Sequence, residues 1–98
     1  MDRIARVLEL MGSTPDLVAA TLRGAHIRGV PYSTSYRNPI VRYLKQTLDL
    51  GAYLELGPGG ATLLIYQNDR ILEIDLPEPV RGFLDRFHGG AYPEITSS

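Results

Sequence analysis

The chain has 98 residues, 44% of them hydrophobic and 21% charged, with a net charge of −1 and no cysteine. That composition fits one soluble globular domain with a single core, residues 1–98, and the lack of thiols excludes disulfides, thiol catalysis and Cys-ligated metal centres. The charge is uneven, +4 over residues 1–45 and −5 over residues 46–98, which implies either a basic face for an anionic partner or two halves whose charges meet each other.

In chain order, Ile4, Val7, Leu8 and Met11 recur at the helical i, i+3, i+4, i+7 spacing, and Gly12 ends that first helix. Asp2, Arg3 and Arg6 break any apolar block of the kind a secretory signal needs, and no apolar run approaches the ~20 residues of a membrane span, so a cytoplasmic location is expected. Ser13 and Thr14 are good N-caps, Pro15 fits the first helical position and Asp16 the positive end of a helix dipole. The second helix therefore begins there, with Leu17, Val18, Thr21 and Leu22 as its buried side and Gly24 or Gly29 as its stop. Ile27 and Val30 are expected to enter the core beside it.

Residues 29–37, Gly-Val-Pro-Tyr-Ser-Thr-Ser-Tyr-Arg, are too polar and too interrupted for regular structure, and they form an arm. Asn38 then caps a third helix over residues 38–49, with Pro39 at its first position and Ile40, Val41, Leu44 and Leu48 as one apolar stripe. Gly51 breaks the pattern. Residues 52–56 alternate with period two, Gly57-Pro58-Gly59-Gly60 supplies a tight reversal, and residues 61–67 are apolar on both faces, as in a middle strand. After the Asn68-Asp69 turn, Leu72, Ile74 and Leu76 alternate inward against Glu73 and Asp75. Pro77-Glu78-Pro79 opens a fourth helix whose Val80, Phe83, Leu84 and Phe87 repeat the helical stripe, with Gly89 as its stop. Residues 91–95 are expected to run back along the surface, and residues 96–98 to fray. The fold class is α+β: three N-terminal helices, a three-stranded antiparallel meander, and a C-terminal helix packed on one sheet face.

Few residues carry chemistry. The Gly57–Gly60 stretch lacks the following helix and Lys-Ser or Lys-Thr of a phosphate loop, and it reads as a hairpin turn. His26 and His88 are the only histidines; neither has a nucleophile or carboxylates at a telling spacing, and His88, in the last turn of a helix, suits an imidazolium favoured by the dipole. Glu55, Glu73 and Asp75 share the wet side of the sheet without a cleft to raise a carboxyl pKa. No catalytic residue, cofactor or metal is expected.

The arm is the strongest candidate. Tyr32, Tyr36, Arg28, Arg37 and Arg42 combine aromatic and guanidinium groups of the kind enriched at interface hot spots, and Lys45 extends them along the third helix. A structureless loop of this length is uncommon in a small domain unless it is used. The expectation is a non-enzymatic binding or adaptor protein presenting residues 30–37 and the outer face of the third helix to a protein partner or another copy of itself. The alternative is a winged-helix-like nucleic-acid binder reading a groove through Arg42, Lys45 and Gln46, with the glycine hairpin as wing; its long 24–37 connection and uncharged wing stand against it.

The Leu22 to Gly29 stretch, Asn38-Pro39-Ile40-Val41-Arg42-Tyr43-Leu44, Leu76-Pro77 through Phe87, and Tyr92-Pro93-Glu94 together give the chain a resemblance. Over about two thirds of its length it resembles a group of small uncharacterised bacterial proteins of actinomycete and planctomycete type. Asn38 stands where that group usually has cysteine, so no thiol role carries over. The resemblance implies the fold and assigns no activity.

Overall fold

The N-terminal stripe forms as its spacing requires. In the computed structural model, which describes residues 2–48 and 52–96, helix α1 (Asp2–Leu10) buries Ile4 and Leu8, with Met11 inside just beyond its end. Helix α2 (Pro15–Gly24) is capped by Thr14, whose hydroxyl oxygen accepts the Leu17 N–H at 3.2 Å. Its inward arc is rotated from the expected one: Val18, Ala19 and Leu22 are buried, whereas Leu17 is 50% exposed. Pro15, Val18, Ala19 and Leu22 share the same i, i+3, i+4, i+7 spacing, and helix α4 (Glu78–His88) selects that face by laying Gly82 against Pro15. Thr21 lies at the edge of the arc, donating its hydroxyl to the Met11 carbonyl.

Helix α2 ends at Gly24, one of the two expected stops, but the left-handed closing position falls two residues later. The His26 N–H bonds the Arg23 carbonyl at 3.1 Å and the Ile27 N–H the Leu22 carbonyl at 2.9 Å, with His26 at φ 59. This is the paired closing pattern that normally takes glycine at the left-handed position. A histidine there is strained, so His26→Gly is expected to raise stability by about 0.5–1 kcal/mol. Denaturant unfolding checks this, and a loss of stability would instead mean that the imidazole itself makes a needed contact.

Helix α3 (Pro39–Thr47) buries Pro39, Ile40, Val41 and Leu44, and Leu48 is buried at its C-cap. The end of the expected helix at Asp49 and the breaker Gly51 lie outside the described residues, as do Ser97 and Ser98.

Strands β1 (Tyr53–Leu56), β2 (Thr62–Gln67) and β3 (Arg70–Asp75) form the antiparallel meander in the order β1-β2-β3. The register stacks Leu54, Ile65 and Leu72, then Leu56, Leu63 and Ile74, on the inner face. Tyr53, Tyr66 and Ile71, then Glu55, Leu64 and Glu73, form rows on the other. The first reversal is tight because Gly59 and Gly60 take φ 75 and 67, a region closed to most side chains.

Val80, Phe83, Leu84 and Phe87 of α4 enter the core that the inner sheet face closes. Residues 91–95 run back with Ala91, Pro93 and Glu94 exposed, as expected, but Tyr92 and Ile95 turn into the core. Tyr92 stacks on Phe83 at 5.2 Å between centroids, Ile95 is 1% exposed, and the Ile95 carbonyl accepts the Gly29 N–H at 2.9 Å. A surface run would have left two large side chains in water, whereas burying each is worth about 2 kcal/mol. Thr96 is held in a parallel bridge to Gly29. Two ion pairs join the halves among the described residues, Arg23–Glu94 at 3.3 Å and, with the signs exchanged, Arg86–Asp16 at 3.5 Å. Both pairs are exposed and contribute little. No helix among the described residues is long and apolar enough to cross a membrane.

Candidate functional site

The arm is a loop tied shut at its base and fastened on three sides. The Val30 N–H donates to the Arg37 carbonyl at 2.9 Å, closing its base. Within it, residues 30–33 make a tight turn: the Ser33 N–H bonds the Val30 carbonyl at 3.2 Å, Pro31 occupies the second position and Tyr32 the third, at φ 68. Proline suits that second position, but the third, with its positive φ, is ordinarily glycine's. A tyrosine there costs about 1–3 kcal/mol that the surroundings must offset.

Those surroundings come from three elements. From α4, the Nδ1 of His88 accepts the Tyr32 N–H at 2.8 Å, and the two rings stack with centroids 5.1 Å apart. From the sheet, the Leu56 N–H donates to the Thr34 carbonyl at 2.7 Å, so the arm covers part of the free edge of β1, and the Ser35 hydroxyl donates to the Tyr53 hydroxyl oxygen at 2.7 Å. From α3, Asn38 binds in both directions. Its Oδ1 accepts the N–H groups of Ile40 and Val41 at 2.8 and 3.3 Å, while its Nδ2 donates to the Ser33 carbonyl at 3.0 Å. Asn38 is 0% exposed, a buried polar side chain whose amide is used at both ends.

The candidate residues separate in this setting. Tyr32 and Tyr36 are 77% and 62% exposed, and the Arg37 guanidinium lies over the Tyr36 ring at 5.5 Å, a cation–π pair at the surface. Arg28 and Lys45 are exposed as well. Arg42 is different: its Nε donates to the Tyr36 carbonyl at 2.9 Å and its Nη1 to the Arg28 carbonyl at 2.8 Å, so its guanidinium secures the arm from below. Gln46, exposed, lies against the Ala25 carbonyl at 3.5 Å.

Beside the arm lies a cleft of about 490 Å³, walled by Tyr32 and Thr34, by Glu55 and Leu64 of the sheet, by the glycine turn, and by Leu84, Asp85 and His88 of α4. Burial lowers the His88 pKa below its ordinary value, against the opposing pull of the Asp85 carboxylate. His88 thus differs from the dipole-stabilised imidazolium its helix position suggests: an Nδ1 that accepts a hydrogen bond belongs to a neutral ring. On the sheet, the Tyr66 hydroxyl donates to Glu55, which raises the Tyr66 pKa. Across the molecule, burial and then the bond to Asp16 raise that of Tyr92. Among the described residues no three His, Asp or Glu groups stand where they could hold a metal ion together.

Sequence reasoning missed Tyr53, Leu56 and His88 as partners of the arm. No local signal could have supplied His88, which is 56 positions from Tyr32. The Asn38-Pro39 pair did announce a cap, but the second hydrogen bond of the same amide has no sequence signature.

No family model, curated protein or solved structure matches the chain.

Proposed function

We propose that this is a non-enzymatic binding or adaptor protein that offers residues 30–37 and the adjoining exposed part of α3 to a protein partner, a second copy of the chain included. One observation carries the reading: two tyrosines stand 77% and 62% exposed on a loop whose backbone is already fixed by bonds to α3, α4 and β1. Exposed aromatic side chains on a preordered loop bind with little entropy left to lose, which is how tyrosine-rich recognition loops work. Tyr32, Tyr36 and Arg37 supply the contact area, with Arg28 and Lys45 at its margin, and Arg42 positions the loop. A cytoplasmic setting belongs to the same proposal.

Nucleic-acid reading is the weaker alternative: of its proposed base readers Arg42, Lys45 and Gln46, Arg42 is engaged by two backbone carbonyls of its own molecule and Gln46 lies 3.5 Å from the Ala25 carbonyl, while Lys45 is exposed.

The test is capture from a lysate and size-exclusion chromatography with wild type, Tyr36→Ala and Arg37→Ala. Each substitution is expected to weaken association by about 1–2 kcal/mol, roughly tenfold, with unfolding midpoints unchanged. Unaltered capture and unaltered oligomeric state in both variants would defeat the proposal. Salt-sensitive binding to duplex DNA would favour the alternative.

A further inference from the structure

The cleft beside the arm holds two carboxylates and a neutral imidazole and by itself names no ligand. What the geometry defines is the joint that closes over it. Tyr32 occupies a backbone conformation that disfavours it, at φ 68, and its N–H is satisfied only by the Nδ1 of His88 at 2.8 Å, with the ring stacked above. A strained residue held by one titratable acceptor is a two-state element: a proton on that acceptor sets N–H against N–H and leaves the strain without its offsetting contact.

We propose that His88 is an acid-sensitive latch on the arm: its neutral ring holds the 30–33 turn against the end of α4, and a proton on Nδ1 frees that turn and loosens the surface offered to the partner. The inference rests on the arm being the partner surface and adds its regulation.

The groups around the ring pull in both directions, and burial decides between them. On the arm side the ring meets the Tyr32 N–H, a donor that repels a second proton on Nδ1. On its own helix it meets the Phe87 ring at 5.9 Å and the Asp85 carboxylate, a charge that favours protonation. Across the cleft stands Glu55 of β1, already accepting the Tyr66 hydroxyl, while the glycine turn contributes no charge. Burial outweighs Asp85, so the latched ring binds a proton less readily than a free one. An open arm, which exposes His88, therefore binds the proton better. Acid shifts the equilibrium toward opening as the pH falls from the ordinary histidine value of about 6.5 to the lower value of the latched ring. Below that value no further opening is driven, and above about pH 7 the latch is fully set.

The test uses the whole chain and no partner. Amide exchange and the Tyr32 amide shift are followed by NMR from pH 7.5 to 5.0, alongside the His88 ring nitrogens, in wild type, His88→Asn and His88→Leu. Asparagine places its Oδ1 near the position of Nδ1, keeping an acceptor that does not titrate. Leucine fills space and accepts nothing. In wild type, after correction for intrinsic exchange, Tyr32 protection is expected to fall severalfold as the His88 ring titrates. His88→Asn should hold protection constant, and His88→Leu should show the open level at every pH. The latch is refuted if Tyr32 protection is flat while His88 titrates, or if His88→Asn keeps the wild-type pH profile, which would assign the effect to Asp85 or Glu55. Because nothing is captured in this experiment, it can fail while Tyr36 and Arg37 still prove to be contact residues, and it can succeed if they do not.

Discussion

Asn38→Ala is expected to cost about 3 kcal/mol of stability, a large part of the ~5–15 kcal/mol available to a domain. The side chain is 0% exposed and makes three hydrogen bonds: Oδ1 accepts two N–H groups at the start of α3, and Nδ2 donates to the Ser33 carbonyl. Alanine removes the cap, worth about 1 kcal/mol, and strands buried groups at about 1–3 kcal/mol where water cannot replace the lost partner. Asn38→Ser separates the two roles, because a hydroxyl oxygen can still cap the helix but cannot reach Ser33. It should cost less, about 1–2 kcal/mol, and its effect should fall on the arm. Amide exchange at Val30 and Leu56 is expected to accelerate while the α3 amides keep their protection. Equal losses in the two variants, with the arm amides undisturbed, would show that Asn38 serves the helix alone.

Gly29→Ala is expected to be as damaging, by about 3 kcal/mol, for a steric reason. A Cβ at this position would collide with the Pro39 ring and stand 2.7 Å from the Pro39 nitrogen and 2.9 Å from the Arg37 carbonyl oxygen. None of these atoms belongs to a side chain that can rotate away. The same glycine donates its N–H to Ile95, so the chain cannot shift without releasing the C-terminal segment. The expected result is a lowered denaturant midpoint together with loss of the Val30 to Arg37 closure, seen as faster exchange at the Val30 amide. A variant within about 0.5 kcal/mol of wild type would mean that the arm base relaxes freely, and the account of a fixed loop would weaken with it.

These two residues mark where the sequence was readable and where it was not. Among the described residues periodicity located the four α-helices and the three strands, because the stripes had caps or breakers at their ends: Thr14-Pro15, Asn38-Pro39, the glycine turn and Pro77. It missed the phase of α2, since the 17/18/21/22 and 15/18/19/22 stripes are equally periodic and only the approach of Gly82 chooses between them. It also missed the burial of Tyr92 and Ile95, which depends on packing against Phe83 and on pairing with Gly29, both distant in sequence. At the site, residue type identified the arm, and Tyr32 and Tyr36 do stand exposed there. Residue type could not tell that Arg42 points inward beneath the loop while Arg37 stays at the surface. Nor could it tell that His26 and Tyr32, rather than neighbouring glycines, occupy left-handed positions. Hydrogen bonds between separated segments decide the place of Arg42 and of Tyr32, and one sequence carries no periodic trace of them.

The central claim is that residues 30–37 are held in one conformation before any partner arrives. Backbone ¹⁵N relaxation of the free protein at pH 7.5 tests it most directly. Order parameters of about 0.85 across the arm, equal to those of α3 and α4, are the predicted result, whereas values below about 0.6 would show a loop that moves on its own and would contradict a preformed binding surface.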